Sequence, residues 1–286
     1  MCRLWSLFAL IFATHACADE PLVHGLWVWK ISSILAAPRS EDTLREFCQS
    51  ESINEVYLSI PSREWSALTE RLPAIIHRLH EAHLRVEALL DSIDADLPGR
   101  PREKILGQVK DIVRFNAEHP TDRFDGIHLD IEPHQRPENK GPGNLRCLSG
   151  LIETFRAVRT LAEPDGMTTN ADLPNKFFKG DATQRQNLLT SVNRVTLMLY
   201  ELNSPTDGKT PAQKIEKLRK LSSHYLDLAY AELSTPDLAR MAIALRTPDY
   251  LERLPEMLHT LDPTHRDHPH YLGWAWHAYN DRVPSE

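Results

Sequence analysis

Glycine is scarce. There are eleven in 286 residues, and none completes a Gly-x-Gly-x-x-Gly run. That argues against a dinucleotide-binding loop and an open doubly wound sheet built around one. Cysteine is scarce too, with four in all. Cys2 and Cys17 belong to the first eighteen residues, so only Cys48 and Cys147 lie beyond them. Two thiols allow at most one disulfide, which excludes a disulfide-stapled scaffold. There is no basic excess: 33 Lys and Arg face 40 Asp and Glu, a net charge of −7. A chain so balanced has no electrostatic footprint for nucleic acid. No Asn-x-Ser/Thr acceptor occurs, since Asn203-Ser204 is followed by Pro205. After residue 18 no apolar run is long enough to span a bilayer.

What is present begins with an export signal. Met1-Cys2-Arg3 is a cationic head, Leu4 to Ala13 an apolar run, and Ala16-Cys17-Ala18 a small-residue cleavage site before Asp19-Glu20. This predicts a signal peptide, residues 1–18, cut after Ala18, and a secreted or periplasmic protein. A lipoprotein acylated at Cys17 is weaker, because Thr14 stands where an aliphatic residue belongs.

Residues 19–286 alternate short apolar runs with longer amphipathic ones. The predicted strands are Gly25–Trp29, Ile53–Ile60, Arg85–Leu90, Gly126–Ile131, Met167–Asp172, Arg194–Tyr200, Met241–Arg246 and Leu272–Ala278. The stretches Trp65–His83, Arg102–His119, Leu148–Ala162 and Lys209–Glu232 carry apolar residues at helical spacing. Eight strands separated by helices over about 250 residues predict a single α/β domain, a (β/α)₈ TIM barrel. Cys48 and Cys147 would then lie at opposite ends of the barrel as free thiols.

Such barrels place their chemistry at the C-terminal ends of the strands. The fourth strand reads Phe124-Asp125-Gly126-Ile127-His128-Leu129-Asp130-Ile131-Glu132-Pro133. Alternation sends Ile127, Leu129 and Ile131 outward and His128, Asp130 and Glu132 into the barrel. A structural polar network is the plain reading. Burying two carboxylates inside a packed barrel is costly without a purpose, which favours a functional one.

Asp125-Gly126-Ile127-His128-Leu129-Asp130-Ile131-Glu132 resembles the Asp-Gly-x-Asp-x-Asp-x-Glu signature of glycoside hydrolase family 18, the chitinases and endo-β-N-acetylglucosaminidases. His128 stands where the family has its first inward Asp. Met198-Leu199-Tyr200-Glu201 is similar to the family's Met-x-Tyr-Asp, and Gly273-Trp274-Ala275-Trp276 to its Gly-rich eighth strand ending in Trp. The likeness covers about residues 24 to 279. Bacterial barrel proteins with a similar histidine-containing fourth strand resemble it as well. The resemblance implies a hydrolase of N-acetylglucosamine-containing glycans that needs no cofactor. Glu132 would be the general acid. Asp130 would polarise the substrate's own 2-acetamido group, which attacks the anomeric carbon, and Tyr200 would hydrogen-bond the acetamide carbonyl. This is an exception to the two-carboxylate scheme. Its acid needs a pKa raised by burial and by the Asp130 charge. His128 could hydrogen-bond Asp130 and fix its orientation.

Substrate contacts are expected from His128, Glu201, Asn170 and Asp172, and from one indole of each pair Trp27/Trp29 and Trp274/Trp276. Trp29 and Trp276, nearer the strand ends, are the expected ones. Asp91 and Asn175 are lesser mouth candidates, and the loop His134–Arg146 would form one wall of a cleft.

Three other readings compete. A two-carboxylate glycosidase would need Glu201 or Asp172 as its second acid, because strand seven has none. A metal site could draw on His128, Asp130, Glu132 and His134, but alternate strand residues stand about 6.5 Å apart, so one ion cannot collect all four. His24 begins its strand, at the wrong end. His265, His268 and His270 precede strand eight and read as a solvated loop, so no metal is expected. The third reading is a sugar-binding barrel that has lost catalysis.

Overall fold

The computed structural model describes residues 21–29, 31–32, 40–141, 143–200, 210–235, 237–246 and 253–281. Eight parallel strands close into a barrel in chain order. They are β1 (Val23–Val28), β2 (Glu55–Ser59), β3 (Arg85–Ser92), β4 (Gly126–Ile131), β5 (Thr168–Pro174), β6 (Arg194–Met198), β7 (Arg240–Arg246) and β8 (Tyr271–His277). All eight predicted strands are there, with ends that differ by a few residues.

The helices between them are α1 (Ser40–Ser50), α2 (Trp65–Leu68), α3 (Leu72–Glu81), α4 (Arg100–Glu118), α5 (Leu148–Ala162), α6 (Ala182–Leu189), α7 (Pro211–Tyr230), α8 (Leu254–His259) and α9 (Leu261–His265). The run Trp65–His83, read as one helix, is two pieces, and Pro73 sits in the first turn of the second, where its missing amide costs nothing. Two helix starts are fixed by capping boxes, Asp181 with Gln184 and Thr210 with Gln213. No helix among the described residues is long and apolar enough to cross a membrane.

Strand alternation divides the side chains into two shells. Outward residues such as Leu26, Val56, Val86, Ile127, Leu129, Ile131, Val195, Ile243, Trp274 and Trp276 join the helices in one continuous core. Each fully buried aliphatic side chain there contributes roughly 1.5–3 kcal/mol. Inside the barrel a small second cluster holds Trp27, Tyr57, Leu89, Ala244 and Ala275. A third small cluster joins Val23, Ala242 and Leu272, and between these lies a polar layer. Glu55, Glu87, His128, Asn170 and Asp172 are all buried.

Two glycines make this interior possible. A Cβ on Gly25 would run into the Tyr57 ring, and one on Gly126 into Thr168 and Glu87. Cys48 and Cys147 are both buried free thiols. At the N-terminal face His24 bonds Asp262 and stacks on Trp274. The histidines before β8 are not a solvated loop: His265 is buried against Ser222, and burial drives its pKa down to about 4, so the ring packs neutral.

Candidate active site

The site is built as a column inside the barrel. At its base the Arg85 Nε donates to Glu55 at 3.0 Å and the Arg194 guanidinium donates to the same carboxylate oxygen at 2.9 Å. One layer up, Glu87 accepts from Asn170 Nδ2 at 2.6 Å and from Thr168 Oγ1 at 3.2 Å. Burial alone would raise the Glu87 carboxyl. The His128 hydrogen bond and the charges of His128, Arg85 and Arg194 outweigh it and hold Glu87 at about 2.

His128 forms the next layer. Its Nδ1 lies 3.0 Å from Glu87 Oε2 and its Nε2 2.8 Å from Asp172 Oδ1. The Tyr57 ring stacks on it with centroids 3.7 Å apart. Burial works against a charged ring, but Asp172 and Glu87 overcome it and push the imidazole up to about 10. Asp172 accepts a second bond from Trp27 Nε1 at 3.1 Å. His128 therefore engages Glu87 and Asp172, not Asp130 as the sequence suggested.

Asp130 and Glu132 stand above, at the mouth. Burial comes first in raising the Asp130 carboxyl, followed by the charges of Asp172 and Glu132. The result lies well above the usual carboxylate range, despite the opposing His128 charge. Burial also raises Glu132, partly offset by the Gln135 side-chain amide, with Asp172 and Asp91 adding to the rise. Both directions favour the protonated form, which a general acid needs. Glu132 also faces His134 Nε2 at 3.5 Å. Its backbone amide donates to Ser92 O at 2.8 Å, which ties the end of β4 to that of β3.

Tyr200 follows β6 and packs beside Trp29 on the inner cluster. The carboxylates of Asp172, Asp130 and Glu132 all act on it, after burial, to keep the phenol protonated. The Arg246 guanidinium lies 5.4 Å from the centre of its ring. At this level the buried Asp130 Oδ1 and the buried Tyr200 hydroxyl have no hydrogen-bond partner among the described residues. Asp130 Oδ1 can accept from a ligand N–H, and the Tyr200 hydroxyl can donate to a ligand carbonyl.

The expected contacts divide. Trp29 lies at the mouth and donates Nε1 to His277 Nε2 at 3.2 Å. Trp276 faces away from the interior. It is 1% exposed and packs edge-on against Phe47, which in turn meets Tyr279. It has no surface to offer a ligand, and the expectation for it is corrected. Strand parity is the reason. β8 turns Ala275 and His277 inward, so the inward residue at its mouth end is His277. His128, Asn170 and Asp172 are likewise withdrawn from a ligand, each at most 2% exposed and bonded to other interior groups. They support the mouth from below. Glu201 lies outside the described residues.

Sequence reading missed Glu87 and His277. Glu87 was legible, because an acid in the middle of β3 meets the same objection that singled out His128. His277 was masked by its aromatic neighbour.

The loop wall is well fixed. Pro133–Gln135 and Pro137–Asn139 form 3-10 turns. Asn139 Nδ2 donates to Pro133 O at 2.9 Å, and Lys176 Nζ donates to Asn139 O at 2.8 Å. Arg136 forms a two-pronged bond to Asp96 at 2.5 and 2.8 Å and donates to Ile93 O at 2.8 Å. Among the described residues no group of three or more His, Cys, Asp or Glu side chains is placed to hold a metal ion.

No protein-family model matches this sequence, and no curated protein is similar to it at the sequence level. Solved structures are. The glycoside hydrolase domain of PgaB (BpsB) from Bordetella bronchiseptica is 12% identical, with a TM-score of 0.55 over 90% of this chain and 94% of its own. A GH5_18 protein from Streptomyces cattleya, solved in complex with GlcNAc, is 12% identical with a TM-score of 0.66, over 93% of this chain and 73% of its own. The exo-β-1,4-mannosidase Op5Man5 from Opitutaceae bacterium strain TAV5 is 14% identical with a TM-score of 0.65, over 90% of this chain and 52% of its own. At these identities the likeness is one of fold: this chain shares its closed TIM barrel with glycoside hydrolases.

Proposed function

We propose that this protein is an exported glycoside hydrolase acting on N-acetylglucosamine-containing glycans by a substrate-assisted route. Glu132 protonates the glycosidic oxygen. The substrate's acetamide carbonyl attacks the anomeric carbon, and water later opens the resulting ring. Asp130 accepts the acetamide N–H, Tyr200 donates to its carbonyl, and Trp29 offers an indole face to the sugar.

One observation carries this reading. Asp130 Oδ1 and the Tyr200 hydroxyl are buried and unpartnered beside the raised Glu132 carboxyl. An acceptor and a donor left in this way are costly, and an acetamide supplies the complement of both. A two-carboxylate mechanism loses Asp172 as its second acid, because that carboxylate is buried and already bonded to His128 and Trp27. The likeness to a protein solved with GlcNAc agrees with the reading, and the mannosidase likeness names the alternative to test.

The test is hydrolysis of chromogenic N-acetylglucosamine oligomers beside plain glucosides and mannosides. Turnover should be confined to the acetylated substrates. Glu132→Gln should lower kcat by about 10²–10⁴-fold with little change in KM. Turnover of the non-acetylated sugars would defeat the mechanism. Tryptophan quenching by sugars without any turnover would make this a binding barrel.

A further inference from the structure

His128 stands at the one place where β4 departs from the Asp-Gly-x-Asp-x-Asp-x-Glu pattern, and no step of the proposed reaction uses it. Both of its ring nitrogens face carboxylate oxygens, Nδ1 at 3.0 Å from Glu87 and Nε2 at 2.8 Å from Asp172. A carboxyl group facing each nitrogen favours a proton on both, and the ring, pushed up to about 10, is an imidazolium at neutral pH. Its neighbours come from every side. Tyr57 of β2 stacks on its face and Trp27 of β1 meets it edge-on. Glu87 of β3 and Asp172 of β5 flank it. Below lie Glu55, Arg85 and Arg194, which share one carboxylate network. Above lies Asp130, on its own strand.

An Asp at 128 would put a third carboxylate between Glu87 and Asp172, and those groups would have to share protons to stay buried. The imidazolium removes that need. It meets Asp172 Oδ1 through Nε2 at 2.8 Å, while Trp27 Nε1 donates to the other oxygen of the same side chain at 3.1 Å.

We infer that His128 is a positioning residue: with Trp27 it ties both oxygens of Asp172 down inside the barrel, so that Asp172 stays out of the hydrogen bonding of the mouth and leaves Asp130 and Glu132 to the substrate. The role of the pair in hydrolysis rests on the function proposed above; the charged clamp itself does not. The Asp172 charge raises both mouth carboxyls, and the His128 charge lowers that of Asp130.

The experiment compares His128→Asn, Asp172→Asn and the double variant, using the acetylated chromogenic oligomer that the wild type turns over. Each single change should lower kcat about tenfold or more with KM within about twofold. The double variant should be little worse than either single one, because one unit has been broken twice. The alkaline limb of the pH–rate profile should move up in His128→Asn, which loses a cation, and down in Asp172→Asn, which loses an anion. Additive losses, or limbs that move together or not at all, would overturn the inference in favour of a packing role. A second readout needs no activity: nitrogen NMR of the full chain labelled at histidine. Two protonated ring nitrogens on His128 at neutral pH support the clamp, and one overturns it. That readout decides the clamp even if the chain hydrolyses nothing, which would defeat the proposed function alone. It also decides it if His128→Asn does not fold.

Discussion

Trp29 and Trp276 come from neighbouring strands, yet they do different work. Trp29 sits inside the mouth against His277. Trp276 is sealed in the outer core against Phe47. Trp276→Ala opens a cavity in the outer core and is expected to cost about 3–5 kcal/mol, read by urea denaturation, with sugar affinity of the folded protein unchanged. Trp29→Ala should do the reverse, weakening sugar binding while leaving the melting temperature close to wild type. If the two variants behaved alike, the assignment of faces would be wrong. A second contrast lies at Asp130. Its carboxyl is held protonated in the folded chain at pH values where the unfolded chain has ionised it. Above the unfolded value near 3.8, stability therefore falls as pH rises toward the folded value. Asp130→Asn should melt higher than wild type at neutral pH and be nearly inactive, the trade expected where function keeps a costly group. A lower melting temperature would contradict this.

At the scale of elements, the strands were legible because their signal is simple. Gly126–Ile131 alternates cleanly, and β4 has those bounds. The inward set His128, Asp130, Glu132 followed from the same alternation. Parity failed at β8. Trp274-Ala275-Trp276-His277 alternates aromatic with small, then adds a polar aromatic, and the larger indoles fill the wider space outside the barrel. No local pattern says which face is wider. The partner of His128 was also out of reach, since Glu87 and Asp172 lie 41 and 44 residues away. Between elements, the decisive joint is Arg136 on Asp96. It fastens the loop after β4 to the loop after β3, and Asp96 is buried. Arg136→Ala leaves that carboxylate without its cation and is expected to cost about 3 kcal/mol. It should also lower kcat, because Gln135 and His134, which flank Glu132, hang on the same turn. Urea unfolding and steady-state kinetics check the two halves. Unchanged stability would mean that Asp96 finds another partner.

For the whole molecule, the barrel interior makes stability depend on pH in a definite direction. The folded value of His128 is about 10, above the ordinary 6.5. The stability it supplies is complete below pH 6.5 and is lost as pH climbs through about 10. Glu87 behaves oppositely. Held at about 2, its contribution is complete above 4.5 and is lost only as pH falls through about 2. Glu55, pushed up to about 7 by burial and by Glu87 despite Arg194 and Arg85, costs stability as pH rises from 4.5 to about 7. Melting temperatures should therefore fall from neutral pH toward about pH 10. A flat curve over that range would mean a neutral His128. These buried charges hold up a mouth formed by Glu132, Asp130 and Tyr200, where Asp130 Oδ1 and the Tyr200 hydroxyl have no hydrogen-bond partner among the described residues.

The central claim is that the substrate's own acetamide completes this set. It is tested most directly by replacing the acetyl group of the chromogenic N-acetylglucosamine substrate with mono-, di- and trifluoroacetyl. Fluorine weakens the carbonyl as a nucleophile while leaving the rest of the sugar alone. A steep fall in kcat with each fluorine is the expected result, and a rate indifferent to fluorine would contradict it.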